Sequence, residues 1–245
     1  VERAQVRPED IDEVIMGCVL TAGLGQAPAR QVALLSGLPP TVQALTVNKV
    51  CSSGLKAVML AAQSVQLGHS ACVLAGGMES MSRAPYLLPA LRSGARLGHT
   101  TAEDSIVKDG LWDVYNDFHM GSAAELCARE FKIDRAAQDA FAVESYRRAN
   151  SAIKEGLFRQ EIAPLTVKSG KSEITFDTDE EPGKFSPEKI AQLKAVFEKD
   201  GTVTAANASS LSDGAAAMIV CSESFAAKHS LRPLARFVAQ GWAGQ

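Results

Sequence analysis

A strand–helix–strand pattern between residues 42 and 75 constrains the fold of this 245-residue chain more than any other feature. Residues 42–50 are rich in β-branched side chains, residues 53–67 repeat apolar side chains at helical spacing, and residues 71–75 form a second apolar run. Two parallel strands need such a helical crossover. With a further strand predicted at 11–20 and a helix at 27–36, the pattern indicates an α/β fold with a mainly parallel sheet covered by helices.

The character of the sequence changes after Arg83. Residues 83–120 carry weak periodicity, and the following stretch predicts helices at 121–131 and 135–155, an edge strand at 172–178 and a short helix at 187–197. Small residues and β-branched residues return from about 202, with a strand in the run GAAAMIV, a helix to His229 and a strand near 234–238. We therefore predict a core domain of residues 1–82 plus 204–240 and an inserted α+β domain of residues 83–203.

Bulk composition excludes several classes of protein. A formal net charge of −3 gives no reason to expect a nucleic-acid or membrane-surface partner, and no apolar stretch is long enough to span a bilayer. Five scattered cysteines without CxxC spacing argue against a disulfide framework or a zinc site. They favour a reducing compartment, which we take to be the cytoplasm, or the mitochondrial matrix in a eukaryote.

Cys51 lies at the junction between the predicted strand and the helix that begins with Ser52-Ser53-Gly54. Unpaired backbone N–H groups and the positive end of the helix dipole favour the thiolate form at such a position. A cysteine there is either a nucleophile or a small buried apolar residue. For the other four cysteines the core interpretation is favoured: Cys18, Cys72, Cys127 and Cys221.

Four other motifs have both a chemical and a structural interpretation. The S-x-x-K match at Ser53 lacks its companion motifs, so Lys56 is assigned to the solvent-facing side of the helix. Gly76-Gly77-Met78-Glu79 is either a phosphate-binding turn or a tightly packed strand end, and the spacing favours packing. His119 is interpreted as structural or exposed. Asn207 and Ser209 either line a ligand cleft or satisfy their own turn.

Five blocks taken together resemble the thiolase family, specifically the acetyl-CoA acetyltransferases. They occur in family order over most of the chain: VNKVCSSGLK (47–56), AGGMESMS (75–82), KDGLWDVY (108–115), HMG (119–121), and GTVTAANAS (201–209) followed by SDG (212–214). The resemblance implies a core domain with a mixed sheet covered by helices, an inserted domain that covers coenzyme A, and the truncated start of a C-terminal core domain at residues 241–245. It also implies a homodimer or homotetramer as the intact protein. It implies that no cofactor is covalently bound and that the CoA thioester is the substrate.

The resemblance also implies roles for individual residues. Cys51 is expected to be the nucleophile that accepts the acetyl group from acetyl-CoA and passes it to a second acetyl-CoA, giving acetoacetyl-CoA. Met120 is expected to narrow the acyl pocket and so to favour short chains. Tyr146 resembles the potassium-binding tyrosine of mitochondrial-type members, with a possible potassium ion also held by Ala205, Ala206 and Ala208. The expected contacts to CoA are Leu111, His119, Met120, Phe197, Ala205 and Ser209.

One departure from the family pattern bears on activity. The family's N-E-A-F, G-H-P and C-x-G blocks, which supply an Asn, the activating His and a second catalytic Cys, do not occur in these 245 residues. We therefore expect an excised or truncated piece that cannot run the full cycle alone and whose acetylation by acetyl-CoA is slow or undetectable. The alternatives are a longer-chain 3-ketoacyl-CoA thiolase of β-oxidation and a non-catalytic CoA-binding or assembly module.

Overall fold

The computed structural model describes residues 1–170 and 172–244 as ten strands and six α-helices joined by short 3₁₀ turns. The strands are β1 (Glu13–Gly17), β2 (Gln43–Val47), β3 (Cys72–Glu79), β4 (Tyr86–Leu87), β5 (Glu103–Asp104), β6 (Trp112–Asp113), β7 (Phe118–His119), β8 (Leu165–Ser169), β9 (Ser172–Phe176) and β10 (Gly214–Cys221). The helices are α1 (Pro28–Leu35), α2 (Ser53–Gln66), α3 (Met120–Glu130), α4 (Arg135–Glu155), α5 (Pro187–Ile190) and α6 (Glu223–Lys228). A π-helical turn covers Ile106–Leu111.

The described chain forms two compact units. The first comprises residues 1–111 and 212–244, and the second comprises residues 112–211. These limits differ from the predicted domain boundaries at 83 and 203, because residues 86–111 join the first unit through β4, β5 and the π-helical turn. The assignment of functional domains stays a prediction.

The first unit is built on a four-stranded sheet in the order β10-β3-β1-β2. β1 runs parallel to both β2 and β3, whereas β10 runs antiparallel to β3. Successive side chains of β1 point to opposite faces, so that Val14 and Met16 pack with α1 residues while Ile15 packs with Ala57 and Ala61 of α2. Because both faces are covered, the central strand β1 is buried and without polar side chains from Val14 to Gly17. The predicted α/β fold with a mixed sheet is confirmed.

Glycine allows the N-terminus of α2 to approach the sheet closely. A Cβ added at Gly17, the last residue of β1, would collide with the backbone of Ser53 and Gly54, and one added at Gly77 of β3 would lie 3.1 Å from the Gly54 Cα. A Cβ added at Gly76 would likewise collide, here with the carbonyl oxygen of Ala216 in the neighbouring strand β10. The packing interpretation of the Gly76-Gly77 pair is therefore correct.

Several predicted elements differ from the structure. α5 ends at Ile190 rather than at 197. Ile190 is buried, but Phe197 stacks on His119 instead of continuing the apolar face of the helix. No strand forms at 234–238 in the described chain, where Leu234 and Val238 are largely exposed. β8 was not predicted, although it pairs with the predicted edge strand, now β9. Cys127 is exposed on α3, so its assignment to the core was wrong.

Within the described residues, no helix is both long enough and apolar enough to cross a bilayer.

Candidate functional site

Cys51 opens onto a cavity of about 480 Å³ in the first unit. The cavity is lined mainly by the ends of the central strands, the start of α2, the π-helical turn and the first residues of β10. Most of the lining residues are apolar or glycine, and two of them, Cys18 and Cys51, are thiols. The full lining is Gly17, Cys18, Val19, Leu20, Val50, Cys51, Ser53, Gly54, Gly77, Met78, Glu79, Met81, Ile106, Gly110, Leu111, Gly214, Ala215 and Ala216. Cys51 is exposed, which excludes the buried alternative for this residue.

The turn that carries Cys51 is strained and tightly hydrogen-bonded. Val50 has φ of 48°, a left-handed conformation that is unusual for a β-branched residue and costs on the order of 1–3 kcal/mol. The Asn48 side chain accepts a hydrogen bond from the Val50 N–H at 2.9 Å. The buried Ser53 hydroxyl accepts one from the Lys49 N–H at 2.8 Å and donates one to the Val50 carbonyl at 2.6 Å. These bonds fix the backbone that presents the thiol.

A second wall of the cavity is organised by Glu79 at the end of β3. Its carboxylate accepts hydrogen bonds from the backbone N–H groups of Val19 at 2.9 Å and Leu20 at 3.0 Å. The Cys18 thiol lies 3.8 Å from the same carboxylate, and burial together with that negative charge raises the pKa of Cys18 to about 11. Cys18 therefore stays protonated at neutral pH, unlike a thiol suited to nucleophilic attack.

Two of the sequence blocks meet beside this cavity. Asp213 of the SDG block accepts hydrogen bonds from both the N–H of Ser82, at 2.9 Å, and its hydroxyl, at 2.5 Å. These bonds from Ser82 hold the pKa of Asp213 below its usual range. The Ser82–Asp213 hydrogen bonds thus join the segment that follows β3 to the start of β10. Both segments contribute to the lining of the cavity, through Met81 and Gly214.

The second unit contains the remaining predicted CoA contacts. His119 caps α3, with its Nδ1 accepting a hydrogen bond from the Gly121 N–H at 2.9 Å, and its ring stacks on Phe197 at a centroid distance of 5.0 Å. A Cβ at Gly121 would collide with the Phe197 ring, which explains the glycine of the HMG block. Met120 begins the helix and is 41% exposed. His119 and Phe197 thus form one surface.

The other predicted contacts, Ala205 and Ser209, lie exposed in the loop 202–209. Asn207 closes this loop: its Oδ1 accepts from the Thr204 N–H at 2.7 Å, and its Nδ2 donates to Asp139 of α4 at 3.0 Å and to the Thr202 carbonyl at 3.1 Å. Arg135 in turn holds Asp139 at 2.7 Å. Asn207 is therefore a structural residue of the turn, as its alternative interpretation proposed, while Ala206 and Ala208 beside it are half-buried.

Three structural roles in these sites were not predicted from the sequence. Ser53 bonds the Cys51 turn, Glu79 accepts backbone N–H groups, and Glu125 is a buried carboxylate on α3. Burial alone would raise the pKa of Glu125, but hydrogen bonds from Val203 and Thr202 outweigh that effect and lower it. Tyr146 stacks almost parallel on Phe185, at a centroid distance of 4.2 Å. In the described part of the chain, no three His, Cys, Asp or Glu side chains converge as metal ligands.

Comparisons with known proteins agree with the resemblance. The profile of the family described as "Thiolase, N-terminal domain" matches residues 1–224. Acetyl-CoA acetyltransferase IA of Candida tropicalis is 50% identical over 97% of this chain and 59% of its own length, and an acetyl-CoA acetyltransferase of Cupriavidus necator is 51% identical over 100% and 63%. The chain therefore spans about 60% of the length of these relatives.

Solved structures give the same correspondence. The acetyl-CoA acetyltransferase of Bacillus anthracis superposes with a TM-score of 0.92 at 41% identity, over 96% of this chain and 59% of that one. A thiolase of Ascaris suum, crystallised in complex with coenzyme A, superposes with a TM-score of 0.87 at 41% identity, over 93% and 58%.

Proposed function

Because this chain belongs to the thiolase family, we propose that it supplies the acyl-accepting cysteine and a CoA-binding surface of an acetyl-CoA acetyltransferase. The observation that carries the proposal is Cys51, an exposed thiol on a strained turn at the start of α2 that opens onto an apolar cavity. Relatives that carry the name acetyl-CoA acetyltransferase, at about 50% identity, support the substrate class.

The proposed chemistry is acyl transfer through a thioester. The Cys51 thiolate attacks the carbonyl carbon of acetyl-CoA, the bond from that carbon to the CoA sulfur breaks, and CoA leaves as a thiolate that takes up a proton. A base then takes a proton from the methyl carbon of a second acetyl-CoA, and the resulting carbanion attacks acetyl-Cys51 to give acetoacetyl-CoA and the Cys51 thiolate. The resemblance assigns that base to the cysteine of the C-x-G block, which does not occur in these 245 residues. The Cys51 backbone N–H is suited to stabilise the oxyanion in the first step.

CoA binding is proposed for the second unit. The stacked rings of His119 and Phe197 and the side chain of Met120 offer apolar surface for the pantetheine arm or the adenine. The exposed hydroxyl of Ser209 can bond a pantetheine amide. The solved thiolase of Ascaris suum in complex with coenzyme A supports this ligand.

A potassium ion near this loop is a finer part of the proposal. The Tyr146 hydroxyl and the backbone carbonyls of Ala205, Ala206 and Ala208 are hard oxygen donors of the kind such a cation prefers. We expect CoA to bind more tightly in potassium than in sodium at equal ionic strength. Equal affinities by calorimetry would remove the ion from the proposal.

Mass spectrometry after prolonged incubation with acetyl-CoA tests the acyl-accepting role. We expect one acetyl adduct, on the peptide that contains Cys51, which disappears in Cys51→Ser and persists in Cys127→Ser. Cys127 is the matched control, because it too is exposed but lies on the surface of α3. CoA binding without an adduct would favour a non-catalytic CoA-binding module instead.

A further inference from the structure

Glu125 is a buried carboxylate that the proposed chemistry does not use. It lies in α3 and is 2% exposed, a position in which an ionised group is costly unless it is fully hydrogen-bonded. Its two oxygens accept the Thr202 N–H at 2.8 and 2.9 Å, the Val203 N–H at 2.7 Å and the Thr202 hydroxyl at 2.9 Å. The charge is therefore satisfied by one short backbone segment.

The residue before that segment is adapted to the carboxylate. A Cβ added at Gly201 would collide with the Glu125 carboxyl group, so only glycine permits its close approach to the chain. The same segment is also bonded to the chain beside Phe197, because the Val203 carbonyl accepts a hydrogen bond from the Val196 N–H at 3.0 Å. Thus Glu125 fixes a point from which both the Phe197 segment and the 204–209 loop extend.

The loop that follows has a buried base and an exposed tip. Val203 and Thr204 are 6% and 0% exposed, whereas Ala205 and Ser209 are exposed. Gln138 of α4 donates a hydrogen bond to the Thr202 hydroxyl at 2.8 Å. Thr202 is therefore hydrogen-bonded to two helices, α3 through Glu125 and α4 through Gln138. The base is held by hydrogen bonds to a charged group, the stronger kind.

We propose that Glu125 is a positioning residue for coenzyme A: its carboxylate sets the backbone of Thr202 and Val203 so that the exposed tip of the loop can receive the pantetheine arm. The inference rests on the proposed function, because it assigns the loop tip to CoA. Preorganisation of this kind contributes affinity by reducing the ordering cost of binding.

The variant Glu125→Gln keeps the size of the side chain but replaces one acceptor oxygen with a donor. Hydrogen exchange of the ligand-free chain should accelerate about tenfold or more at the Thr202 and Val203 amides, with α2 unchanged. Affinity for pantetheine should fall about ten- to a hundredfold, since hydrogen bonds to charged groups contribute about 1.5–3 kcal/mol. Affinity for adenosine 3′,5′-bisphosphate should fall by a clearly smaller factor, because that fragment lacks the pantetheine arm that the loop tip receives.

Gly201→Ala should reproduce both effects, because its methyl group displaces the carboxylate. Glu144→Gln is the matched control: it removes a charge from α4 in the same unit, where Glu144 pairs with the exposed Arg147 and Arg148, and should change neither readout. Unchanged exchange at 202–203, or equal loss of both CoA fragments, would overturn the positioning role. A wild-type chain that binds neither fragment would instead overturn the proposed function, and the exchange measurement would still decide whether Glu125 orders the loop.

Discussion

The two compact units order their functional segments by different means. Of the 24 buried apolar residues in the described chain, 20 lie in the first unit, where the sheet and the close glycine contacts of α2 set the Cys51 turn. The second unit has four: Ala128, Ala142, Ile190 and Val203. It relies instead on a buried carboxylate and side-chain hydrogen bonds to fix its loop. The Cys51 turn is thus placed by packing and closed by its own hydrogen bonds, whereas the proposed ligand-binding loop is held mainly by polar contacts.

The largest expected effect concerns the two thiols of the Cys51 cavity. At pH 8, a pKa of about 11 leaves Cys18 about one part in a thousand as thiolate, and burial raises the pKa of Cys72 to about 12. We expect iodoacetamide to label the exposed Cys51 at least about a hundredfold faster than Cys18, as measured by peptide mass spectrometry. Similar labelling of both would mean that packing in the first unit does not separate their reactivity.

Disturbing the packing of the first unit should have the next largest effect. In Gly17→Ala the new methyl group would enter the backbone of α2 at Ser53 and Gly54, at a cost of about 1–3 kcal/mol or more in unfolding free energy. We expect a lower urea midpoint and a changed rate of Cys51 labelling. Gly183→Ala is the control, since a Cβ there meets no described atom within 4 Å. A fully stable Gly17→Ala variant would contradict the proposed role of close packing.

The polar network of the second unit should respond to pH in a way that the apolar core does not. Because the pKa of Glu125 is lowered in the folded chain, its stabilisation is present above the unfolded glutamate range and is lost as pH falls through the folded pKa. Wild type should therefore exceed Glu125→Gln in unfolding free energy by about 1–3 kcal/mol at pH 7, with the gap closing in acid.

Trp112 fluorescence in a Trp242→Phe background can report the unfolding of the second unit, because Trp112 belongs to that unit and Trp242 to the first. Urea titrations at pH 7 and in acid would measure the gap. A difference between the two proteins that is the same at both pH values would show that the charge of Glu125 is not the source of the stabilisation.

The same contrast explains what the sequence could predict. In the first unit, periodicity identified β1, α1, β2, α2 and β3, because apolar alternation there reflects a core that covers both sheet faces. In the second unit, the pattern at 187–197 predicted too long a helix, since Phe197 is taken up by its contact with His119.

Glu125 could not be selected from sequence, because a glutamate in a helix ordinarily faces solvent. Its partners lie 77 and 78 residues away along the chain. Gly201 lies next to those partners, but only the structure shows that the Glu125 carboxyl group occupies the space of a Cβ at this position. The strained turn at Val50 also carries no composition signal, since its hydrogen bonds depend on the placement of Ser53.

The most direct test of the central claim compares two acetyl donors on the same 245-residue chain. Mass spectrometry would follow acetylation of Cys51 and Cys127 by acetyl-CoA and by S-acetyl-N-acetylcysteamine, which lacks the nucleotide and most of the pantetheine arm. We predict that acetyl-CoA acetylates Cys51 at least about tenfold faster than the short thioester does at equal concentration. The two donors should acetylate Cys127 at similar rates. Equal rates at Cys51 with both donors, or acetylation of both cysteines alike, would contradict the account.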